Sequence, residues 1–121
     1  MRLFALRGAI TVDHNDAEAI LGATERLVRD LLERNGLEPD AIVSCIFTAT
    51  EDLDAEFPAV AARRVGLTHT PLLCACELPV PGALPRVIRA LVHYYAEDGH
   101  SPQHVYLGEA RTLRADLDHA Q

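Results

Sequence analysis

Residues 84–95 read Leu84-Pro85-Arg86-Val87-Ile88-Arg89-Ala90-Leu91-Val92-His93-Tyr94-Tyr95, and the period of this stretch decides the architecture. Its apolar side chains at 84, 87, 88, 91, 92 and 95 follow the three- and four-residue spacing of one helical stripe. The spacing predicts a second long amphipathic helix, with Arg89 at the edge of the stripe and Arg86 and His93 alongside. Arg86 is expected on a solvated face.

The first long helix is expected at residues 16–35. Asn15 can cap it, with Glu18 three residues later closing a capping box. Apolar residues at 20, 21, 27, 28, 31 and 32 form its stripe. Glu25 with Arg29 and Asp30 with Arg34 stand four apart on the wet side, and Gly36 stops the helix.

Strands account for most of the remainder. RLFAL (2–6) reads as one, opening out at Arg7-Gly8. Pro39-Asp40 introduces AIVSCIFTAT (41–50), continuously apolar and β-branched, as in a strand buried on both faces. After the polar loop EDLDAE (51–56), Pro58 begins a short helix, AVAARRV, that ends at Gly66. LLCACE (72–77) is a further strand, closed by Pro79 and Pro81, and HVYLGEARTL (104–113) is the last. The resulting order is β-α-β-α-β-α-β. It implies an α+β fold, a single mixed β-sheet covered on one face by two long helices. The other face of so apolar a sheet needs cover, which predicts an obligate oligomer.

Length and composition set the frame. A chain of 121 residues suits one domain, 1–121, with a polar, flexible tail from about 115. With 49% hydrophobic and 24% charged residues it is globular rather than disordered. The net charge of −7 and the lack of a basic stripe argue against nucleic acid and against an anionic membrane surface. No apolar run approaches the ~18 residues of a membrane span, and RLFALRGAITV is too short and too interrupted for a signal peptide. Three cysteines then suggest reduced thiols and a cytoplasmic protein.

LLCACELPVPG (72–82) holds two thiols and a carboxylate in an apolar run. Cys74 and Cys76 lie two apart and share one strand face. Neither Cys45 nor the histidines at 14, 69, 93, 100, 104 and 119 supply zinc-ligand spacing, so no metal site is expected. A disulfide between positions i and i+2 would be strained. Cys76 reads as a small buried hydrophobe, while Cys74 stays open. Glu77 is either solvated at a strand end or held at a pocket mouth, paired or raised in pKa.

All eleven basic residues are arginines, whose planar fork binds carboxylates through two hydrogen bonds. Arg7 closes an apolar strand, just before a glycine that permits close approach. Arg63, Arg64, Arg111 and Arg114 can be surface residues. Arginines gathered round one pocket would suit a small di-anionic substrate. No G-x-S-x-G turn, Cys–His pairing or Gly-rich phosphate loop points to nucleophilic or nucleotide chemistry.

RGAITV (7–12), FTATEDLDAEFPAVAARR (47–64), PLLCACELPVPGALPRVIRAL (71–91) and HVYLGEARTLRADL (104–117), in that order, resemble the monofunctional chorismate mutases of the Bacillus type. The resemblance covers nearly the whole chain. It implies a homotrimer with sheets packed inward and active sites in clefts between adjacent subunits. It further implies the Claisen rearrangement of chorismate to prephenate, on the route to phenylalanine and tyrosine, without cofactor, metal or covalent intermediate.

Carried over, Arg7 would bind a substrate carboxylate, with Tyr106 donating beside it. Arg89 would stand at the ether oxygen of the breaking bond. Glu77 would accept the hydrogen bond of the ring hydroxyl, with Cys74 nearby. Phe57, Ala59, Arg63, Leu73, Leu113 and Arg114 would line the cleft, some from the neighbouring subunit. Two rival readings are an enamine or imine deaminase of the Rid type, on a similar trimer, and a non-catalytic trimeric binder of small molecules.

Overall fold

In a computed structural model, which describes residues 1–113, the chain runs β1 (Arg2–Thr11), α1 (Ala17–Arg34), β2 (Ile42–Ala49), α2 (Pro58–Val65), β3 (Leu72–Cys76), β4 (Val87–Ala96) and β5 (Val105–Leu107). Short 3₁₀ turns occupy Pro39–Ala41 and Gly108–Thr112. Arg114 and the tail from 115 lie outside the described residues.

The helix expected at 84–95 is instead β4, the middle strand of a five-stranded mixed sheet in the order β3-β2-β4-β1-β5. β4 is antiparallel to β1 and β2, whereas the outer pairs β1–β5 and β2–β3 are parallel. Half of its ten residues are Val, Ile or Tyr, side chains that suit a pleated surface. Ile88, Ala90, Val92 and Tyr94 face the core, and Arg89, Leu91, His93 and Tyr95 point the other way. Only one long helix therefore covers the sheet, and the eight-residue α2 is the second.

The strand at the N-terminus continues through Arg7 and Gly8 to Thr11 rather than opening out. At Gly8 α1 packs closely on the strand: a Cβ there would stand 3.0 Å from Leu27 Cδ1 and 3.1 Å from Leu31 Cδ1. α1 buries Ile20, Leu21, Thr24, Leu27, Val28 and Leu31, a slightly shifted version of the expected stripe. Its cap is Asp16, which accepts from Ala19 N at 2.8 Å, and not Asn15. Asn15 is taken up by the loop after β2, accepting from Asp54 N and Ala55 N at 3.0 and 3.1 Å. Gly36 follows the helix in a left-handed conformation, φ +61°.

The final strand is shorter than expected. Gly108, at φ +62°, turns the chain after Leu107, and a Cβ there would collide with Thr11 Oγ1 at 2.5 Å. Residues 108–112 then fold back, so that Ala110 and Leu113 pack on Ala9 and Val87. Arg86 is also less free than expected. Held at φ +50°, it donates from its backbone N to the Asp52 carboxylate at 3.0 Å and from Nε to Val12 O at 3.0 Å.

The main core lies between the helices and the face of the sheet carrying Leu6, Ile10, Phe47, Ile88 and Tyr94. Among the described residues, no helix packs most of the other face. Reading across the strands, one row there is Ala75–Thr48–Arg89–Ala9–Tyr106, and the next is Leu73–Ile46–Leu91–Arg7. Leu3, Leu73 and Tyr95 lie 49%, 59% and 49% exposed on this uncovered face. No helix of the described residues is long and apolar enough to cross a membrane.

Candidate active site

Strand alternation sorts LLCACE cleanly. Leu73 and Ala75 point to the uncovered face, and Glu77 follows in the same phase. The ladder runs one step past β3, because Glu77 N donates to Ala49 O at 2.9 Å. Cys74 pairs with Phe47 and packs against the main core, so it stands across the sheet from Glu77 rather than beside it. Cys76 shares that phase but is exposed, contrary to the expectation of burial. Cys45 is the buried thiol. Desolvation, with Cys74 nearby, pushes it up to about 12, which keeps it protonated and a poor nucleophile at neutral pH.

Four expected site residues meet on the uncovered face. Arg89 lies opposite Thr48 on one side and Ala9 on the other, with Tyr106 opposite Ala9 on β5. Ala9, between the guanidinium and the phenol in this row, is buried in the small cluster with Val87 and Ala110. Arg7 lies two residues from Ala9 on the same strand face, and its side chain hydrogen-bonds Tyr106. Burial raises the Tyr106 phenol above its usual range, opposed by the charge and hydrogen bond of Arg7 and the charge of Arg89. The phenol therefore stays protonated, with its O–H available to donate.

Glu77 completes the group. Thr48 Oγ1 donates to its Oε2, and Arg89 Nε stands 3.6 Å from its Oε1. That separation exceeds a hydrogen bond, so the pair attracts without sharing a proton. Glu77 also forms one wall of a hollow of about 230 Å³ bounded by Thr50, Asp52, Val80, Leu84 and Pro85. Two guanidiniums, a carboxylate and a neutral phenol thus stand together on this face.

The remaining expected residues divide. Leu73 is exposed on the same face, and Leu113 is partly buried in the small cluster round Ala9 and Val87. Phe57, 67% exposed, caps α2, and Arg63 is exposed on α2 itself, on the helix-covered side of the sheet. The Ala59 side chain is in the main core. Phe57 and Cys74 instead border a separate hollow of about 450 Å³ with Leu53, Asp54 and Cys76.

Sequence reasoning missed Thr48 and His104. His104 Nδ1 accepts from Arg7 N at 3.0 Å, so the neutral ring carries its proton on Nε2. Burial and the Arg7 charge hold this imidazole below the ordinary histidine range. Thr48 could be found only by counting alternate residues along β2 from Ser44, since a lone threonine in an apolar strand carries no other signal.

Comparison with known proteins supplies the context for this group. Residues 3–117 match the family described as Chorismate mutase type I. Chorismate mutase AroH of Thermus thermophilus is 50% identical over 121 residues, covering 96% of this chain and 97% of that protein. Chorismate mutase AroH of Bacillus subtilis (strain 168) is 35% identical over 119 residues, covering 97% and 94% respectively. Among solved structures, a chorismate mutase from Clostridium thermocellum superposes with a TM-score of 0.87 at 48% identity, over 91% of this chain and 99% of that one.

Proposed function

This chain belongs to the chorismate mutase type I family and is an isomerase of that activity; from that premise we propose that it rearranges chorismate to prephenate at the Arg7–Arg89–Glu77–Tyr106 group, as a homotrimer in the cytoplasm. The observation that carries the site assignment is the convergence of two arginines, one carboxylate and one phenol on the sheet face away from α1 and α2.

The reaction is unimolecular and pericyclic, so the protein has no bond to make to the substrate. It must fold a flexible dianion into a compact shape and stabilise charge as the ether bond breaks. Arg7 and Tyr106 hold one carboxylate, the arginine by charge and the phenol by its O–H. That fixes orientation, the entropic part of the barrier. Arg89 faces the ether oxygen, where negative charge grows. A fixed guanidinium needs little reorganisation there, and such a donor is worth ~10²–10³ in rate. Glu77 accepts the hydrogen bond of the ring hydroxyl and favours positive charge in the fragment it touches.

Assembly follows from the same face. Leu3, Leu73 and Tyr95 leave exposed apolar area on the same face as the charged group, which association would bury. A second subunit would bring its Phe57 and Arg63 to the cleft, because these lie on the opposite side of their own sheet from Arg89. One assay tests the reading. Purified protein should deplete chorismate absorbance with prephenate as the product, at the mass of a trimer. Inert chorismate, or enamine hydrolysis in its place, would overturn it.

A further inference from the structure

Glu77 and Arg89 stand close enough to close a two-point salt bridge, the common outcome when a guanidinium meets a carboxylate. They do not close it. Arg89 Nε remains 3.6 Å from Oε1, while Oε2 accepts the hydroxyl proton of Thr48. Thr48 lies directly opposite Arg89 across the β2–β4 ladder, and opposite Ala75 of β3, two residues before Glu77. Its hydroxyl is therefore anchored to the same two strands that carry the ion pair. A β-branched side chain in a strand has few χ1 choices, so the direction of that hydroxyl is set by the backbone.

We propose that Thr48 is a positioning residue, which holds the Glu77 carboxylate away from the Arg89 fork so that both remain open to substrate. The inference rests on the role of Glu77 given above and deepens it. One oxygen of Glu77 is fixed by Thr48, and the other is left for the ring hydroxyl of chorismate. Without the Thr48 hydroxyl, the carboxylate turns onto Arg89 and takes the donors that the ether oxygen needs. A competitive ion pair then forms inside the site.

The test uses the whole protein and five variants, Thr48→Val, Thr48→Ala, Thr48→Ser, Glu77→Gln and the double variant Thr48→Val/Glu77→Gln, with chorismate turnover as the readout. Thr48→Val keeps the branched shape and removes the donor. It should lower kcat/KM by about 10- to 100-fold, the scale of one hydrogen bond to a charged group, with the larger share in kcat. Thr48→Ala should behave like Thr48→Val and guards against a folding defect peculiar to valine. Thr48→Ser should restore most of the rate.

In a Glu77→Gln background, Thr48→Val should cost less than ~3-fold, because the two act as one unit. A crystal structure of Thr48→Val should show Glu77 turned onto Arg89 with two hydrogen bonds. Wild-type rates in folded Thr48→Val, Thr48→Ser no better than Thr48→Val, or fully multiplicative effects with Glu77→Gln would overturn the inference alone. A Glu77→Gln enzyme with normal kcat would overturn the role of Glu77 itself, and this inference with it.

Discussion

If the site is shared between subunits, two inactive variants should rescue each other. Arg63 is exposed on α2 on the helix-covered side, and Arg89 is on the uncovered face of the same sheet. One chain cannot bring them together across its own five strands. Arg89→Ala removes the cation at the ether oxygen and should cost ~10²–10³ in kcat. Arg63→Ala removes one charged contact to the substrate and should cost ~10-fold or more in kcat/KM. In trimers assembled at random from equal amounts of both variants, a site is intact when its Arg89 comes from one variant and its Arg63 from the other. That condition holds for about a quarter of the sites. Co-refolded or co-expressed mixtures, assayed for chorismate turnover, should recover about a quarter of the wild-type kcat/KM. A mixture that stays at the mean of the two separate variants would refute the shared site, and with it the assignment of Arg63.

Two further outcomes follow from the packing. Because the folded protein holds His104 below the ordinary histidine range, the unfolded chain binds more protons in that window. Stability should therefore fall as pH drops from ~6.5 toward the lower folded value, and His104→Gln should flatten that acid limb in urea titrations. Identical acid limbs would exclude His104 as their source. Gly8→Ala places a methyl 3.0 Å from Leu27 Cδ1 and 3.1 Å from Leu31 Cδ1, so these side chains, or α1 with them, must give by a few tenths of an ångström. The cost should be ~1–3 kcal/mol, read from the urea midpoint at fixed protein concentration. An unchanged midpoint would mean that the two leucines rotate aside freely.

The sequence was most legible where one period stood alone. The α1 stripe, the α2 segment between Pro58 and Gly66, and the strands at 42–49 and 72–76 could all be read from it. Residues 84–95 could not, for a physical reason. Arg89 and His93 are four apart, a spacing that puts two residues on one side of a helix and also on one face of a strand. A middle strand with apolar side chains on both faces then fills the intervening positions, and a helical stripe emerges by coincidence. The Val, Ile and Tyr content of that stretch was the contrary signal. Asn15 lost its helix cap to Asp16 because the loop at 54–55 offered it backbone donors, a contact no local pattern reveals.

The candidate site was proposed from resemblance, and its grouping was less legible through geometry. Arg7, Glu77, Arg89 and Tyr106 were all named, but with Arg89 on a helix their convergence could not be derived. Parity along LLCACE was the better guide, since residues three apart alternate faces and Cys74 does lie across the sheet from Glu77. Thr48 emerged only once the ladder register placed it opposite Arg89.

In the proposed mechanism a guanidinium fixed on the middle strand stabilises charge on the breaking ether bond. The most direct measurement of this is kcat for chorismate with Arg89→Ala and Arg89→Lys beside the wild-type protein. Arg89 is 45% exposed at its side chain, so both variants should fold. Arg89→Ala should lose ~10²–10³ in kcat, and Arg89→Lys should keep only part of the rate because a single ammonium replaces the fork. Near-normal turnover by Arg89→Ala would contradict the account.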